Sequence, residues 1–344
     1  MPFLYIVGRK KYNTMEKSKE QSCFPIDFVY LWVDGNDPAW REKKERYSGA
    51  GKEKGATAEA RFRDNDELKY SLRSVEKFAP WVNRIFIVTD KQIPAWLDTT
   101  ADKMCIIDHS QIFPADALPT FNSQAIESVL HRIPGLSEHF ILGNDDTMLA
   151  APVTPDDFFT QDGQPIVRLY GTALNRKKAL RSTLYKRTVL KMQELIQEKY
   201  GTLIKYPPHH NFDAYRKSCV MECREIFKER WDATAFSRFR EENDILRCVV
   251  GYFMIATGKG IMRKVGRFNR INGVYNRLKA IITGCYANDS RTFPIATGDY
   301  SAVMQKYNPL MFCINDDENS TVEDFARMEN FLKSMFPEKS SFEK

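Results

Sequence analysis

The residues best placed to do chemistry are Asn144-Asp145-Asp146, which follow the short apolar run Phe140-Ile141-Leu142-Gly143. That run reads as a buried strand, so two adjacent carboxylates stand at its carboxyl end. There they repel each other and lose solvation. A site of that kind usually holds a divalent metal, and in α/β proteins the carboxyl ends of strands are where nucleotide phosphates bind. The plain alternative is a turn that leads into a helix.

Other groups share that ambiguity. In Asp34-Gly35-Asn36-Asp37-Pro38 the glycine permits a tight turn that lets a backbone amide and carboxylates approach a ligand, or the stretch is simply a strand-to-loop turn. Arg61-Phe62-Arg63-Asp64-Asn65-Asp66-Glu67 puts two arginines before a helix start. Arginine forks and free helix-end amides suit phosphate, whereas a capped helix with solvated charges accounts for Asp66 and Glu67 but not for the arginines. His209-His210 follows Pro207-Pro208 ahead of an expected helix, and Arg238 and Arg240 flank Phe239. A surface loop and a helix boundary are the plain readings of these two. Asn315-Asp316-Asp317 repeats the Asn-Asp theme, where a cap or turn suffices.

The elements that must position these groups are legible from periodicity. Four apolar runs end in acids: residues 28–33 before Asp34, 85–88 before Thr89-Asp90, 104–107 before Asp108, and 140–142 before Asn144. Runs apolar on both faces suit a buried, largely parallel sheet. Leu68, Leu72, Val75 and Phe78 predict a helix with Asn65 or Asp66 as cap and Pro80 as stop, and Ile126, Val129, Leu130 and Ile133 predict another. The alternation gives a Rossmann-like α/β fold with a mostly parallel sheet flanked by helices, whose strand-end acids face one rim. In the second half, Tyr185, Val189, Met192 and Ile196 mark a helix. Tyr215, Cys219, Ile226 and Phe227 mark a second, and Ile245, Leu246, Val249, Val250 and Phe253 a third. Phe325, Met328, Leu332 and Met335 mark a terminal one. This helical half packs on the sheet, with a few strands between residues 260 and 300. Residues 48–59, rich in Gly, Lys and Ala, read as a mobile loop.

With 344 residues the chain has room for a sizeable core. Its 51 basic and 45 acidic residues give a mild net charge of +6, which fits an anionic ligand or a membrane surface without demanding nucleic acid. No run reaches the ~18 apolar residues of a membrane span. The start lacks the order of a signal peptide. Seven cysteines without a Cys-x-x-Cys pair fit a reducing cytoplasm, with Cys219 and Cys223 as core residues.

These stretches together resemble the Stealth family. IDFVYLWVDGNDPAW (residues 26–40) is similar to its first conserved block. Residues 61–157 are similar to its second, residues 209–243 to its third, and CINDD with the terminal FPEKSSFE to its fourth. The resemblance implies residues 1–24 as an extension and 25–344 as one catalytic domain, divided into an α/β nucleotide-sugar half (25–170) and a mainly helical half (171–344). It also implies a bacterial capsular polysaccharide phosphotransferase. Such an enzyme moves a hexose 1-phosphate, with N-acetylhexosamine 1-phosphate among the choices, from a UDP-sugar to a hydroxyl of an oligo- or polysaccharide and releases UMP.

Carried onto this chain, the resemblance makes Asp145 and Asp146 the catalytic and metal-binding carboxylates, for Mg2+ or Mn2+. It makes His210 and Arg240 the functional residues of the third block; the family's His-x-Pro order is not reproduced, which leaves His209 a candidate too. Asp34, Gly35, Asn36, Arg61, Arg63, Asp64, Asn65, Asn144, Asn315 and Asp316 complete the expected substrate-binding set. The implied setting is the cytoplasm, with room for peripheral contact with a membrane-associated capsule assembly. Two rivals share the sequence features: a metal-dependent glycosyltransferase that breaks the C1–O bond, and a non-catalytic glycan- or membrane-binding module.

Overall fold

The structure, a computed structural model, describes residues 24–48, 59–266, 285–287 and 289–344. Nearly all of the expected N-terminal extension and of the expected mobile loop at 48–59 therefore lies outside the described residues.

Its centre is a five-stranded sheet. The strands are β1 (Ile26–Leu31), β2 (Ile85–Thr89), β3 (Met104–Asp108) and β4 (His139–Asn144), followed in the chain by the short β5 (Thr147–Leu149), β6 (Ile166–Tyr170) and β7 (Asp213–Arg216). The order is β3-β2-β1-β4-β7, parallel throughout except for the antiparallel edge β7. All four apolar runs thus form the expected parallel sheet. Their side chains alternate between two cores, as a two-residue period dictates. Phe28 and Tyr30 of β1 and Ile141 of β4 join Leu68, Leu72 and Val75 of the helix Glu67–Phe78. Val29, Phe140 and Leu142 join Val189, Met192 and Ile196 of the helix Leu184–Tyr200 on the other face. Helices on both faces explain why the strands are apolar on both sides.

Two smaller sheets complete the second half with β8 (Ile261–Gly266), β9 (Cys285–Ala287), β10 (Ser290–Pro294) and β11 (Met311–Asn315). One is β6-β8-β9 and the other β10-β11-β5, in which β11 runs antiparallel to β5. Strands therefore do lie between residues 260 and 300, and the terminal helix spans Val322–Met335 with a Thr321/Asp324 capping box.

Several local expectations are corrected. Asp66 does stand at the start of the helix Glu67–Phe78, but in a left-handed conformation (φ 65°) and without a side-chain capping bond; its carboxylate instead meets Lys69 at 2.5 Å. Tyr215 belongs to β7, and only then does the helix Lys217–Ile226 begin. The His209-His210 pair thus precedes a strand. The helix containing Ile126 ends at Val129 and continues as a 3-10 turn, Leu130–Arg132. Ile245 and Leu246 lie ahead of the helix Cys248–Ala256, on a turn that brings Arg247 to its start. Cys219 and Cys223 are buried, as a core pair should be. No helix among the described residues is long and apolar enough to cross a membrane.

Candidate active site

Asn144-Asp145-Asp146 forms the turn between β4 and β5, not the start of a helix. Gly143 makes the approach possible, because a Cβ there would stand 2.6 Å from the Phe212 ring. The turn opens into a cleft of about 760 Å³ that runs between the carboxyl ends of β1 and β4 and the second half of the chain. Of the residues singled out in sequence, Asn144, Asp145, Asp146, His209, His210, Arg61, Arg63, Arg240, Asn315 and Asp316 line this cleft. Residues up to 253 positions apart meet there, since Arg63 pairs with Asp316 at 2.7 Å.

The acidic wall is unevenly balanced. Asp145 accepts the Asp146 amide at 3.1 Å. Burial, followed by the charges of Asp146, Glu67 and Asp64, holds its carboxyl well above the ordinary range. Burial also raises Glu67 to about 7, against two hydrogen bonds from Asn65 at 2.7 and 2.9 Å, and Asp64 to about 6 against a hydrogen bond from Trp32. Asp146 goes the other way. Burial alone would raise it, but His210 and hydrogen bonds from Cys313 and Thr147 bring it below the usual carboxylate range. His210 Nε2 lies 3.5 Å from Asp146 Oδ1, and the Cys313 thiol donates to Asp146 Oδ2 at 3.2 Å. Two neighbouring carboxyls pushed in opposite directions mark a site prepared for one charge and one proton or cation.

The two histidines are separated by their surroundings. His209 is 4 % exposed, lies against the Tyr170 ring at 4.4 Å with the planes tilted by 39°, and is driven to about 3 by burial, with His210 and Arg168 adding to the shift. Its neutral ring is part of the wall. His210 instead turns to the carboxylates and to Asn144, whose Nδ2 lies 2.9 Å from Nε2.

The basic wall comprises Arg61, Arg240 and Arg247. Arg240 donates to Ser123 Oγ at 2.6 Å. Burial and the nearby Arg61 lower it to about 10, so it stays charged at neutral pH. Arg247 is held by Asp213 (3.1 Å) and Asn144 (2.9 Å), near Glu127 (3.6 Å). Guanidinium groups crowded together in this way favour an anion between them.

Other expected site residues are used differently. Asp34, Gly35, Asn36, Asp64 and Asn65 do not line the cleft but build its rim. The Asn36 amide donates to Asp34 Oδ1 at 2.8 Å, and Gln92 brackets the Asp34 backbone at 3.0 Å on both its amide and its carbonyl. Gly35 lies against the Phe62 carbonyl, only 2.0 Å from where a Cβ would be. Of the other strand-end acids, Asp90 lines the cleft, paired with Lys43, while Asp108 caps the 3-10 turn His109–Gln111. Glu67, Ser123, Glu127, Asp213, Arg247 and Cys313 were not picked out as site residues. The available signal was a lone charge within an apolar run, as in Ile126-Glu127-Ser128-Val129 and Ile245-Leu246-Arg247-Cys248, because such charges are buried only when partnered.

For a metal, one group of described residues has ligand spacing: donor atoms of Asp146, His210 and Cys313 lie within 4.8 Å of one another. The Cys313 thiol is raised well above its usual value by burial and Asp146, so it acts as a protonated donor. Magnesium takes oxygen ligands, commonly one or two carboxylates plus substrate phosphates. Asp146 together with the uncompensated Asp145 fits that donor chemistry.

An α/β fold with carboxylates at a strand end facing crowded arginines is suited to a phosphorylated ligand at the rim of its sheet. Comparison with known sequences makes the class specific. Residues 24–52 match Stealth protein conserved region 1, residues 61–167 conserved region 2 and residues 303–344 conserved region 4. An exopolysaccharide phosphotransferase of Lactiplantibacillus plantarum, cps2G, is 35% identical over 93% of this chain and 97% of its own length. The capsular polysaccharide phosphotransferase WcwK of Streptococcus pneumoniae is 34% identical over 92% of this chain and 99% of its own. The chain belongs to the Stealth family and is a transferase. Among solved structures, the galactosyltransferase LgtC with donor and acceptor sugar analogues aligns over 90% of this chain and 95% of its own at 11% identity and a TM-score of 0.38.

Proposed function

We propose that the protein transfers a hexose 1-phosphate from a UDP-sugar to a hydroxyl of a glycan acceptor, leaving a phosphodiester and releasing UMP. Relatives named for capsular and exopolysaccharide phosphotransfer support sugar-phosphate transfer in cell-surface polysaccharide synthesis. One observation carries the finer reading: a single cleft holds the Asp145–Asp146 pair, His210 3.5 Å from Asp146, and the guanidinium groups of Arg61, Arg240 and Arg247. Phosphoryl transfer needs positioning and charge neutralisation more than covalent chemistry by the protein.

The acceptor oxygen attacks the sugar-bearing phosphorus as its proton passes to His210, and the phosphorus–oxygen bond to UMP breaks with its electron pair leaving on UMP. Arg61 and Arg240 hold the phosphate oxygens while charge moves onto the leaving group. A magnesium ion held by Asp145 and Asp146 supplies neutralisation of the diphosphate when bound. Asp146 receives the hydrogen bond of the imidazolium once the proton has passed to His210. The bond from C1 to oxygen is untouched, so the donor's anomeric configuration persists.

The test is to incubate the protein with magnesium, an acceptor glycan and a panel of UDP-sugars, following nucleotides and the product's 31P spectrum. UMP with a phosphodiester signal in the glycan is expected. Release of UDP with a phosphorus-free product would replace this reading with glycosyl transfer.

A further inference from the structure

Arg247 does more in this cleft than add positive charge. It stands at the start of the helix Cys248–Ala256, and its guanidinium forks toward groups from three other elements. Nε meets Asp213 Oδ2 of β7 at 3.1 Å, and Nη1 lies 3.6 Å from Glu127 Oε1 of the helix Ser123–Val129. The same Nη1 donates to Asn144 Oδ1 of β4 at 2.9 Å. A guanidinium has only donors, so the Asn144 atom facing it must be the carbonyl oxygen. That fixes the amide, whose Nδ2 is left turned to His210 Nε2 at 2.9 Å. An amide nitrogen also only donates, so Nε2 must present its lone pair, and the neutral ring carries its proton on Nδ1.

We infer that Arg247 is a positioning residue that sets the tautomer of His210 through Asn144. The catalytic consequence rests on the transfer reaction proposed above; the tautomer itself does not. The nitrogen left unprotonated is the one 3.5 Å from Asp146 Oδ1, in the corner where the acceptor hydroxyl must lose its proton. The entering hydroxyl displaces the Asn144 N–H from that lone pair. Its proton then forms an Nε2–H directed at Asp146. Without the Arg247 clamp, the Asn144 amide can turn over and offer its oxygen to His210. The ring then favours a proton on Nε2 from the outset and has no lone pair facing the acceptor. Neighbouring groups make the clamp stiff: Asp213 holds Nε of a guanidinium whose side chain is only 15% exposed, and the Glu127 carboxylate lies 3.6 Å from the same Nη1 that meets Asn144. A lysine keeps the charge but cannot hold Asp213 and Asn144 in one rigid fork.

The experiment uses the full chain labelled with 15N-histidine, free of metal and at alkaline pH, with the His210 resonances assigned by their loss in His210→Gln. Wild type is expected to show the Nδ1–H tautomer, Arg247→Lys a mixture, and Asn144→Asp the Nε2–H tautomer, since a carboxylate can only accept. In parallel, kcat with UDP-sugar should fall at least tenfold in Arg247→Lys while the donor KM stays within about threefold. An Nε2–H tautomer in wild type, or wild-type tautomer and kcat in Arg247→Lys, overturns the inference. A wild-type protein inert toward every UDP-sugar overturns the proposed reaction instead, and the spectra still decide the tautomer.

Discussion

The chain twice places Asn-Asp-Asp after a strand, and the two turns have opposite electrostatics. Asn315-Asp316-Asp317 follows β11, and its acids are neutralised locally. Asp316 accepts from Arg63 (2.7 Å), from the Asp317 amide (2.7 Å) and from the Ser320 hydroxyl, while Asp317 accepts the Asn319 amide at 2.7 Å. Asn144-Asp145-Asp146 follows β4, where Asp145 faces Asp146, Glu67 and Asp64 and is held well above its ordinary value, first by burial. The turns are neighbours, joined by the Ile314 amide donating to the Asp146 carbonyl at 3.2 Å. Local sequence is the same in both, so it cannot say which turn is a site. What separates them is whether the surrounding protein satisfies the charges. A carboxyl left uncompensated in a buried corner, as Asp145 is, is one kept for a ligand.

The largest effect should expose that contrast directly. Asp146→Ala is expected to lower UMP release from UDP-sugar by at least about a thousandfold, because it removes both a cation-binding oxygen and the partner of His210. Asp317→Ala should cost less than about tenfold, since its carboxylate serves the turn. Initial rates on variants with wild-type circular dichroism check this, and equal losses in the two would erase the distinction between the turns.

The same contrast explains what could be read from the sequence. The parallel sheet was legible because β1 to β4 are apolar on both faces, and the helix Glu67–Phe78 because Leu68, Leu72 and Val75 repeat on one stripe. The acids of the first turn were legible by their place at a strand end. The fate of Asp34 was not, because only the fold brings Gln92 and Phe62 against that loop and turns it into scaffold. Tyr215 suited a helix by spacing but pairs with Phe140 across the sheet edge, a long-range contact that local periodicity cannot report. Arg247 stands out in the sequence only as a lone charge in an apolar run, and its role was hidden for a similar reason: its three partners come from elements far apart in the chain.

A second, smaller effect concerns stability. Burial raises Glu67 to about 7 and Asp64 to about 6, and lifts Asp145 as well. A carboxyl raised in the folded state contributes stability that is complete below its unfolded value near pH 4 and is lost as pH climbs through the folded value. The metal-free protein should therefore lose stability between about pH 4 and 7, with Glu67 alone accounting for up to about 3 kcal/mol. Asp146, being depressed, works in the other direction and only below the ordinary carboxylate range. Asp145→Asn should raise the Tm at pH 7.5 and leave it nearly unchanged at pH 4.5. Magnesium should raise the wild-type Tm more at the higher pH and should lose that effect in the variant. Thermal melts at the two pH values, with and without magnesium, decide it, and a Tm gain of equal size at both would remove the electrostatic account of the first turn.

The smallest effect tests the neutralised turn. Arg63 and Asp316 are 25% and 14% exposed, so their pair is partly screened and worth about 1 kcal/mol. Arg63 also lies over the Phe325 ring at 4.9 Å, which gives it packing that Asp316 does not share. In a denaturation cycle, Arg63→Met and Asp316→Asn should each destabilise, and the double variant should lose less than the sum by roughly that amount. The coupling should shrink in high salt. Additive losses would mean that the pair holds nothing together and that Asp316, like Asp145, is a carboxylate awaiting a ligand. A full coupling means that the cleft's two Asn-Asp turns divide their labour, one fastening the second half of the chain to the first and the other kept free for the reaction.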